Sequence, residues 1–407
     1  MKILMLAPQP FFEPRGTPIS VYQRLEALSA LGHEIDLLTY HVGTDVHISN
    51  VRVYRIPRVP FIKDVKIGPS WAKPILDLLL FQLAFFKMLT RRYDVIHSHE
   101  EAAFFAVILG ALFRVPHVYD MHSSLPRQLS NFNVGNWWPL IKAFEWLERM
   151  ALLTCHAVIT IDSELEAYVR TINPRIRHMR IENLAIPAKM RLVDSELIHQ
   201  LKNSESVISR QPIVYTGTFE RYQGLELLLE SASIVKAHNP RALFVLVGGK
   251  PEQIKQLRTV ARQLGVEDCV VFVGVVAPDE ALAFLDIADV LVSPRTSGAF
   301  VPLKIYSYLC SGKAIVATRV GAHSGVLNDE IALLVEPEKE ALAEGILSLL
   351  DDRQRSQQLG RRARQHALEQ HDAGDYKARL EQIYRTLRTV NPAGISPSAG
   401  QFEQSEI

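Results

Sequence analysis

The sequence is short of cysteine and has no excess of either charge, and each shortage argues against a class of protein. Its three cysteines, Cys155, Cys269 and Cys310, stand far apart, which argues against a disulfide framework or a cysteine-rich zinc site. The 45 lysines and arginines balance 44 aspartates and glutamates, so no strongly basic nucleic-acid surface is expected. We therefore predict a protein of the reducing cytoplasm with no nucleic-acid partner.

The sequence also lacks an apolar run long enough to cross a bilayer. Its longest runs, 75–89 and 102–113, fall short of the roughly 20 residues that a spanning helix needs. Residues 74–92 nevertheless crowd apolar side chains ahead of three basic ones. Two interpretations stay open for this segment: a helix that covers the first sheet, or a helix that makes peripheral contact with the inner face of a membrane.

Short apolar runs of strand length alternate with amphipathic stretches along most of the 407 residues. Parallel strands joined by crossover helices produce this alternation. A polar stretch at 202–211 separates two such series, which predicts an α/β protein of two doubly wound, Rossmann-like domains with a ligand cleft between them. The predicted strands are 3–6, 34–39, 94–97, 116–119, 157–161 and 180–183 in the first series, and 212–215, 242–247, 270–273, 290–293 and 314–317 in the second.

The same pattern divides the chain into four segments. Residues 1–195 are predicted to form the first domain and 196–375 the second. Residues 376–390 are predicted to be a C-terminal helix that crosses back to the first domain. Residues 391–407, rich in Pro, Ser, Gly and Gln, have little to bury, so we expect a disordered tail.

Two glycine-containing loops that precede helices are candidate anion sites. Gly16 and Thr17 follow the first strand, and Gly217 follows the first strand of the second series. Free backbone N–H groups at a helix N-terminus attract phosphate. The alternative for Thr17 is an ordinary helix N-cap in a turn between strand and helix.

Histidines stand at the ends of two predicted strands. His97 and His99 alternate onto one strand face, where a metal site is conceivable, but hydrogen-bonding histidines are commoner at such positions, and we predict no metal. His122 directly follows a buried strand, at the edge where ligands bind. Its imidazole is a candidate for contact with a sugar hydroxyl or a transferred group, and the alternative is a structural histidine.

The most informative stretch of the second half runs from 293 to 318. It contains a strand, a glycine loop, a helix predicted at 302–309, a glycine C-cap at Gly312 and another buried strand. Arg295 and Lys304 flank the loop that leads into this helix. Two cations beside a helix N-terminus are suited to a pyrophosphate.

The order of these motifs resembles that of the retaining glycosyltransferases of family 4, which have the GT-B fold of two facing Rossmann-like domains. The resemblance extends from Met1 to about Arg388. It is carried by LGHEI at 31–35, YDVIHSH at 93–99, His122, Asn183, Gly217, GVV at 274–276, ADVLVSP at 288–294 and SGKAIVAT at 311–318.

The resemblance implies roles for several residues. Gly16 would lie beside the donor phosphate and the acceptor, His122 would contact the donor sugar, and main-chain groups near Val275 and Val276 would face the nucleotide base. The first domain would bind the acceptor and the second the nucleotide sugar.

This sequence departs from the family pattern at four positions. The two usual glutamates fall on Ala299 and Ser307, and Thr218 and Gln223 replace the usual basic pair. The replacements for the missing cations are predicted to be Arg295 and Lys304, with Arg221 and Lys250 as further candidates.

The expected function is therefore transfer of a sugar from a nucleotide diphosphate sugar to an acceptor hydroxyl with retained anomeric configuration. No cofactor is implied, and uridine is the commonest base in the family, so a UDP-sugar is the expected donor. The acceptor would be a glycan or a lipid-linked molecule of cell-envelope synthesis. Two alternatives stay open: a catalytically silent GT-B protein that binds a sugar or a partner, and a sugar-nucleotide epimerase.

Overall fold

The computed structural model describes residues 1–13, 16–62, 64–65, 70, 72–127, 138–184, 209–276, 278–297, 301–370 and 373–388. Two parallel β-sheets lie in this part of the chain, one in each half. The predicted α/β class with two doubly wound sheets is confirmed. Ala299, most of the predicted linker and the predicted tail at 391–407 lie outside the described residues.

The first sheet has seven parallel strands in the order β3-β2-β1-β4-β5-β6-β7. The strand order reverses between β1 and β4, and ligands bind beyond the carboxyl ends of strands at such a reversal. The strands are β1 Lys2–Ala7, β2 Glu34–Thr39, β3 Val51–Arg55, β4 Val95–His99, β5 His117–Met121, β6 Ala157–Thr160 and β7 Arg177–Arg180. The helices that follow in chain order are α1 Gly16–Ala30, α2 Ala72–Thr90, α3 Ala102–Phe113, α4 Trp138–Thr154 and α5 Ser163–Ile172.

The second sheet has six strands in the order β10-β9-β8-β11-β12-β13, with its reversal between β8 and β11. The strands are β8 Gln211–Thr216, β9 Ala242–Val247, β10 Val270–Gly274, β11 Val290–Ser293, β12 Ala314–Thr318 and β13 Leu333–Val335. The helices are α6 Leu225–His238, α7 Pro251–Gln263, α8 Pro278–Ile287, α9 Lys304–Ser311, α10 Gly321–Ser324, α11 Lys339–Asp351, α12 Arg353–Gln370 and α13 Ala373–Arg388.

Strand β1 shows how the first sheet is covered. Its side chains alternate, so that Ile3 and Met5 pack with α1 and α13, whereas Leu4 and Leu6 pack with α2 and α3. Helix α4 covers β5 and β6 on the same side as α3. The sheet is therefore buried on both faces, as parallel sheets require.

Helix α2 buries one apolar stripe against this sheet. Ala72, Leu76, Leu80, Ala84 and Met88 recur every four residues and are buried, which is the period of a single helix face. The inner side of this segment thus covers the sheet, as the first of the two interpretations predicts, and contact of its outer side with a membrane stays a prediction. No helix in the described ranges is both long and apolar enough to cross a membrane.

The last helix returns to the first sheet. Helix α12 packs in the second domain through Ala363 and Ala367, whereas α13 places Tyr376, Leu380 and Tyr384 in the core beneath β1. The chain therefore passes from the first sheet to the second and back again.

Three strand predictions are wrong or incomplete. The strand predicted at 180–183 is β7, three residues earlier, and β3 and β13 have no predicted counterpart. These are the outermost strands of their sheets. Arginines interrupt β3 and β7, so the continuous apolar run that marks a central parallel strand is missing from them, whereas β13 is apolar but only three residues long.

Candidate functional site

A cluster of buried ionisable side chains lies at the carboxyl edge of the first sheet, beside the point where its strand order reverses. His97 and His99 end β4, and Asp120 and His122 end the neighbouring β5. Arg24 reaches them from α1. All five side chains are buried, so their charges must be compensated within the cluster.

Asp120 is the centre of this cluster. Arg24 Nε donates to Asp120 Oδ2 at 2.8 Å, and His97 Nε2 lies 3.2 Å from the same oxygen. His122 Nε2 lies 3.3 Å from Asp120 Oδ1 and 3.1 Å from His99 Nδ1. Arg24 and His97 are therefore hydrogen-bonded to the carboxylate, whereas His122 is hydrogen-bonded to His99 and lies beside the second oxygen of Asp120.

The electrostatics keep Asp120 ionised and His99 and His122 neutral. Burial opposes ionisation of Asp120, but Arg24 above all holds its pKa well below the ordinary 3.8. Burial lowers the pKa of His122 to about 4, against an opposing effect of Asp120, and lowers that of His99 well below 6.5. A neutral imidazole can exchange hydrogen bonds with a sugar hydroxyl without adding charge.

The ligand atoms of His97, His99 and Asp120 lie within 4.8 Å of one another, close enough for a metal ion. Arg24 already occupies an oxygen of Asp120, however. A metal cation at this point would face a buried guanidinium, which opposes its binding. The donor set does not fit a metal well, and the absence of a metal stays a prediction.

Helix α13 completes the cluster with two tyrosines. Tyr384 Oη lies 2.6 Å from His97 Nδ1, and the Arg24 guanidinium lies 4.9 Å from the centre of the Tyr376 ring. Neither tyrosine is among the site residues predicted from the sequence. The only available signal was their helical spacing, which marks a buried face and does not distinguish a core tyrosine from a site tyrosine.

A carboxyl group forms the rim of the cluster next to the start of α1. Ser123 Oγ donates to Glu100 Oε2 at 2.7 Å, and Thr17 Oγ1 donates to Glu100 Oε1 at 3.4 Å. Burial, followed by the charge of Glu101, raises the pKa of Glu100 to about 7. Gly16 is exposed beside it. The structure thus places Gly16 and Thr17 next to a carboxyl that can gain or lose a proton near neutral pH.

At the carboxyl edge of the second sheet, Lys304 meets residues of the β8 loop. Lys304 Nζ donates to Gln223 Oε1 at 3.2 Å and lies 3.8 Å from the centre of the Tyr215 ring. A Cβ added to Gly217 would lie 3.6 Å from the same nitrogen. Burial, and next the charge of Arg295, lowers the pKa of Lys304 well below 10.5.

Arg295 lies on the loop after β11, next to β8 in the sheet. Its guanidinium is buried and lies 4.9 Å from the centre of the Tyr222 ring, and burial lowers its pKa. Ser307, one turn along α9 from Lys304, is buried as well. Lys304 and Arg295 contact adjacent residues of the same loop, Gln223 and Tyr222, so two neighbouring basic side chains lie at the same edge of the sheet.

The loops at this edge of the sheet approach one another closely at two glycines. A Cβ at Gly248 would lie 2.0 Å from the carbonyl oxygen of Gly217, and a Cβ at Gly224 would lie 1.9 Å from that of Pro294. Both glycines have positive φ, of 119° and 74°. Any other residue would push these loops apart.

The remaining predicted site residues are more exposed. Arg221 is exposed, and Lys250 is exposed with its Nζ 3.3 Å from Asp64 Oδ2 of the first domain. Val275 is exposed and Val276 half-buried at the end of β10. Lys250 therefore lies at a contact between the two halves, and the roles of all four residues stay predictions.

Two family models match the chain, one in each half. Glycosyltransferase Family 4 matches residues 14–182, and Glycosyl transferases group 1 matches residues 201–366. The chain is a family 4 glycosyltransferase. Its relatives carry the same description, and the resemblance inferred from the sequence is confirmed.

Two of the relatives of this glycosyltransferase match it over most of its length. It is 25% identical over 367 residues to an uncharacterized glycosyltransferase of Methanocaldococcus jannaschii, covering 86% of this chain and 90% of that one. It is 24% identical over 416 residues to a phosphatidyl-myo-inositol mannosyltransferase of Mycolicibacterium smegmatis, covering 97% and 95%.

Solved structures confirm the GT-B fold of the glycosyltransferase. Sucrose-phosphate synthase from Thermosynechococcus elongatus has a TM-score of 0.77 at 20% identity, covering 96% of this chain and all of that one. Anabaena HepE, solved in complex with UDP-glucose, has a TM-score of 0.70 at 19% identity, with coverage of 96% and 100%. At these identities the likeness shows the fold alone.

Proposed function

We propose that this glycosyltransferase moves a sugar from a UDP-sugar to an acceptor hydroxyl with retention of anomeric configuration. The observation that carries the proposal is the pair of neighbouring basic side chains, Arg295 and Lys304, at the strand-order reversal of the second sheet. Anions bind where such a reversal meets a helix N-terminus. The complex of HepE with UDP-glucose supports this class of donor.

Lys304 and Arg295 would bind the diphosphate and stabilise the charge that develops on it as it leaves. They would take the role of the family's usual basic pair, at whose positions this chain has Thr218 and Gln223. Gln223 instead accepts a hydrogen bond from Lys304, which orients the ammonium group. Ser307 would offer a hydroxyl where the family has a carboxylate.

In the proposed reaction the bond between the anomeric carbon and the diphosphate oxygen breaks, and the acceptor oxygen bonds to the same face of that carbon. The acceptor proton passes to the departing diphosphate oxygen. No side chain of the chain has to become a nucleophile in this scheme. His122, neutral and hydrogen-bonded to His99, would hydrogen-bond a hydroxyl of the transferred sugar.

The acceptor is proposed to be a glycan or a lipid-linked molecule, in cell-envelope or polysaccharide synthesis in the cytoplasm. The rim formed by Glu100, Ser123 and Thr17 provides hydrogen-bonding groups for an acceptor hydroxyl. The relative from Mycolicibacterium smegmatis, a phosphatidyl-myo-inositol mannosyltransferase, supports this class of acceptor.

The test begins with thermal unfolding in the presence of UDP-, GDP- and ADP-sugars. A ligand at a hundred times its Kd should stabilise the protein by about 2.7 kcal/mol. Transfer to an acceptor is then followed by NMR, and retention requires that the anomeric signal of the product match that of the donor. The variant Lys304→Ala should bind the donor more weakly and show a smaller stabilisation at the same donor concentration.

A second candidate, a catalytically silent binding protein, is favoured by one observation: uncharged Ser307 and Gln223 stand where the family has charged residues. Donor binding without turnover on any acceptor would support it. Conversion of the donor sugar to its epimer would instead support the epimerase alternative.

A further inference from the structure

The exposed apolar side chains of this protein are concentrated on three neighbouring helices. Of the thirteen large hydrophobic side chains exposed in the described parts of the chain, ten belong to α2, α3 and α4. These ten, which we call the helical face, are Ile75, Leu78, Phe86, Leu89, Ile108, Leu112, Leu140, Trp146, Met150 and Leu153.

The helical face is continuous because the three helices pack side by side. The Phe81 and Phe105 rings, 5.9 Å apart, join α2 to α3, and the Phe104 and Phe144 rings, 6.2 Å apart, join α3 to α4. The inner sides of all three helices cover the first sheet. Their outer sides therefore form one surface.

Helix α3 has no polar side chain on any of its faces. Its sequence is AAFFAVILGALF, whereas a helix that covers a sheet usually turns polar residues toward water. Leu112 is 62% exposed, Phe86 63% and Trp146 61%. An apolar surface of several adjacent helices marks a site of contact with a partner or a membrane.

The charges around the helical face are predominantly positive. Lys73 of α2 pairs with Glu101, and Arg91 pairs with Asp36. The other basic residues on α2 and α4, and just after α2 and α3, are Lys87, Arg92, Arg114, Lys142 and Arg149. The acidic groups are already engaged: Asp77 accepts from Tyr40, Glu148 accepts from Ser124, and Glu145 pairs with Lys142. Charge complementarity thus favours an anionic partner.

We propose that the helical face binds an anionic phospholipid bilayer, with its apolar side chains at the depth of the headgroups and its basic residues on lipid phosphates. Apolar area and basic charge together are what interfacial binding requires. Helix α3 begins two residues after Glu100, so the face starts at the rim proposed for the acceptor. A membrane-bound acceptor would then reach the site without leaving the bilayer, a consequence that rests on the proposed function.

Flotation of the full chain with vesicles tests this proposal. Vesicles of phosphatidylglycerol and phosphatidylcholine should carry the protein at low salt, vesicles of phosphatidylcholine alone should carry much less, and salt above about 0.1 M should weaken binding. Phe86→Ser and Leu112→Ser should each lower the partition coefficient about tenfold. Leu368→Ser is the matched control, because Leu368 is equally exposed, at 66%, on α12 of the second domain.

Two results would overturn the proposal. One is a protein that stays in the soluble fraction with anionic vesicles at low salt. The other is a concentration-dependent dimer, seen by sedimentation, that Phe86→Ser and Leu112→Ser abolish, because the face would then be an interface between copies. Donor binding is measured without vesicles by thermal shift, so failure of the proposed function is detected separately.

Discussion

Tyr384 Oη lies 2.6 Å from His97 Nδ1, although 287 residues separate the two in sequence. Ionised Asp120 can only accept a hydrogen bond, so it places the proton of His97 on Nε2 and leaves Nδ1 to accept from the phenol. The C-terminal helix therefore supplies the second hydrogen-bond partner of a histidine that helps to hold Asp120, and Asp120 in turn contacts His122.

Replacing Tyr384 by Phe should impair catalysis through this contact. The variant loses the donor to His97 Nδ1, so we expect about 1 kcal/mol less stability. If Tyr384 positions His122 through His97 and Asp120, turnover should fall about fivefold while the KM for the donor changes little. Steady-state kinetics and urea unfolding measure the two effects.

Ile383→Val is the matched control, because Ile383 is buried on the same helix and the loss of a methyl group also costs about 1 kcal/mol. Its turnover should equal that of the wild type. Equal turnover in Tyr384→Phe and Ile383→Val would show that Tyr384 contributes to stability and not to catalysis.

Arg24→Met should destabilise the protein strongly and shift its sensitivity to acid. Removing one partner of a buried ion pair costs about 4 kcal/mol. Arg24 depresses the pKa of Asp120, so ionised Asp120 contributes stability above pH 3.8, its ordinary pKa, and loses it as the pH falls through the lower folded value. In the variant the folded pKa of Asp120 moves back up toward 3.8 or beyond it, because burial is no longer opposed by Arg24, so this loss on acidification should become smaller or reverse.

Urea unfolding from pH 3 to pH 7 measures this shift. Arg385→Met is the control, because Arg385 pairs with Glu381 on an exposed helix face and such a pair contributes only about 0.4 kcal/mol. An identical pH dependence in the wild type and Arg24→Met would show that Arg24 does not set the pKa of Asp120.

His122 should contribute to stability at neutral pH and lose that contribution in acid. Its folded pKa of about 4 is below the ordinary 6.5, so the unfolded state binds the extra proton between these values. This contribution to the free energy of unfolding amounts to up to about 3 kcal/mol. It is complete above pH 6.5, declines as the pH falls below that value and levels off below pH 4. His122→Asn should flatten the unfolding free energy over this range.

The same variant should lower sugar transfer about a hundredfold if His122 contacts the transferred sugar. His47→Asn, at an exposed position, should change neither the pH dependence nor the transfer rate. Wild-type transfer in His122→Asn would contradict a catalytic role for the imidazole.

Lys304→Ala and Arg295→Ala should lower turnover by roughly ten to a thousandfold, with the larger effect at Lys304 in the first turn of α9. Lys255→Ala, at an exposed position on α7, is the control. Unchanged kinetics in both variants would leave the diphosphate contact to Arg221 or Lys250.

Donor binding should also take up a proton at Lys304. Burial lowers the pKa of its ammonium group in the free protein, and a bound diphosphate would raise it again. Calorimetry between pH 7 and pH 9, in buffers of different ionisation enthalpy, measures the proton count. Proton uptake that persists in Lys304→Ala would assign the effect to another group.

The fold could be predicted largely because its central strands are buried on both faces. Strands such as Ala242–Val247 and Val290–Ser293 are uninterrupted apolar runs, and the structure has them at those bounds. The edge strand Val51–Arg55 has no such run, because arginines interrupt it. A strand can therefore be predicted where it is a continuous apolar run, as the edge strand Val270–Gly274 also is, and is missed where polar residues interrupt the run.

The residues of the candidate site likewise fall into two groups, those that the sequence identifies and those that it does not. His122 was identifiable as a candidate because it directly follows a buried strand. Arg295 and Lys304 were identifiable because they flank a glycine loop that leads into a helix. Arg24 and Tyr384 were not, because each lies within an ordinary amphipathic helix and meets Asp120 or His97 only through tertiary packing. Sequence periodicity specifies which side of a helix is inside, but not which polar atoms it meets there.

The return of α13 to the first sheet limits how the two halves can move. The chain joins the halves twice, once between β7 and β8 and once between α12 and α13. Two connections restrict the relative movement of the halves more than one connection would. Because α13 packs in the core of the first sheet, it moves with that half, and Tyr384 stays with His97 whenever the second half moves.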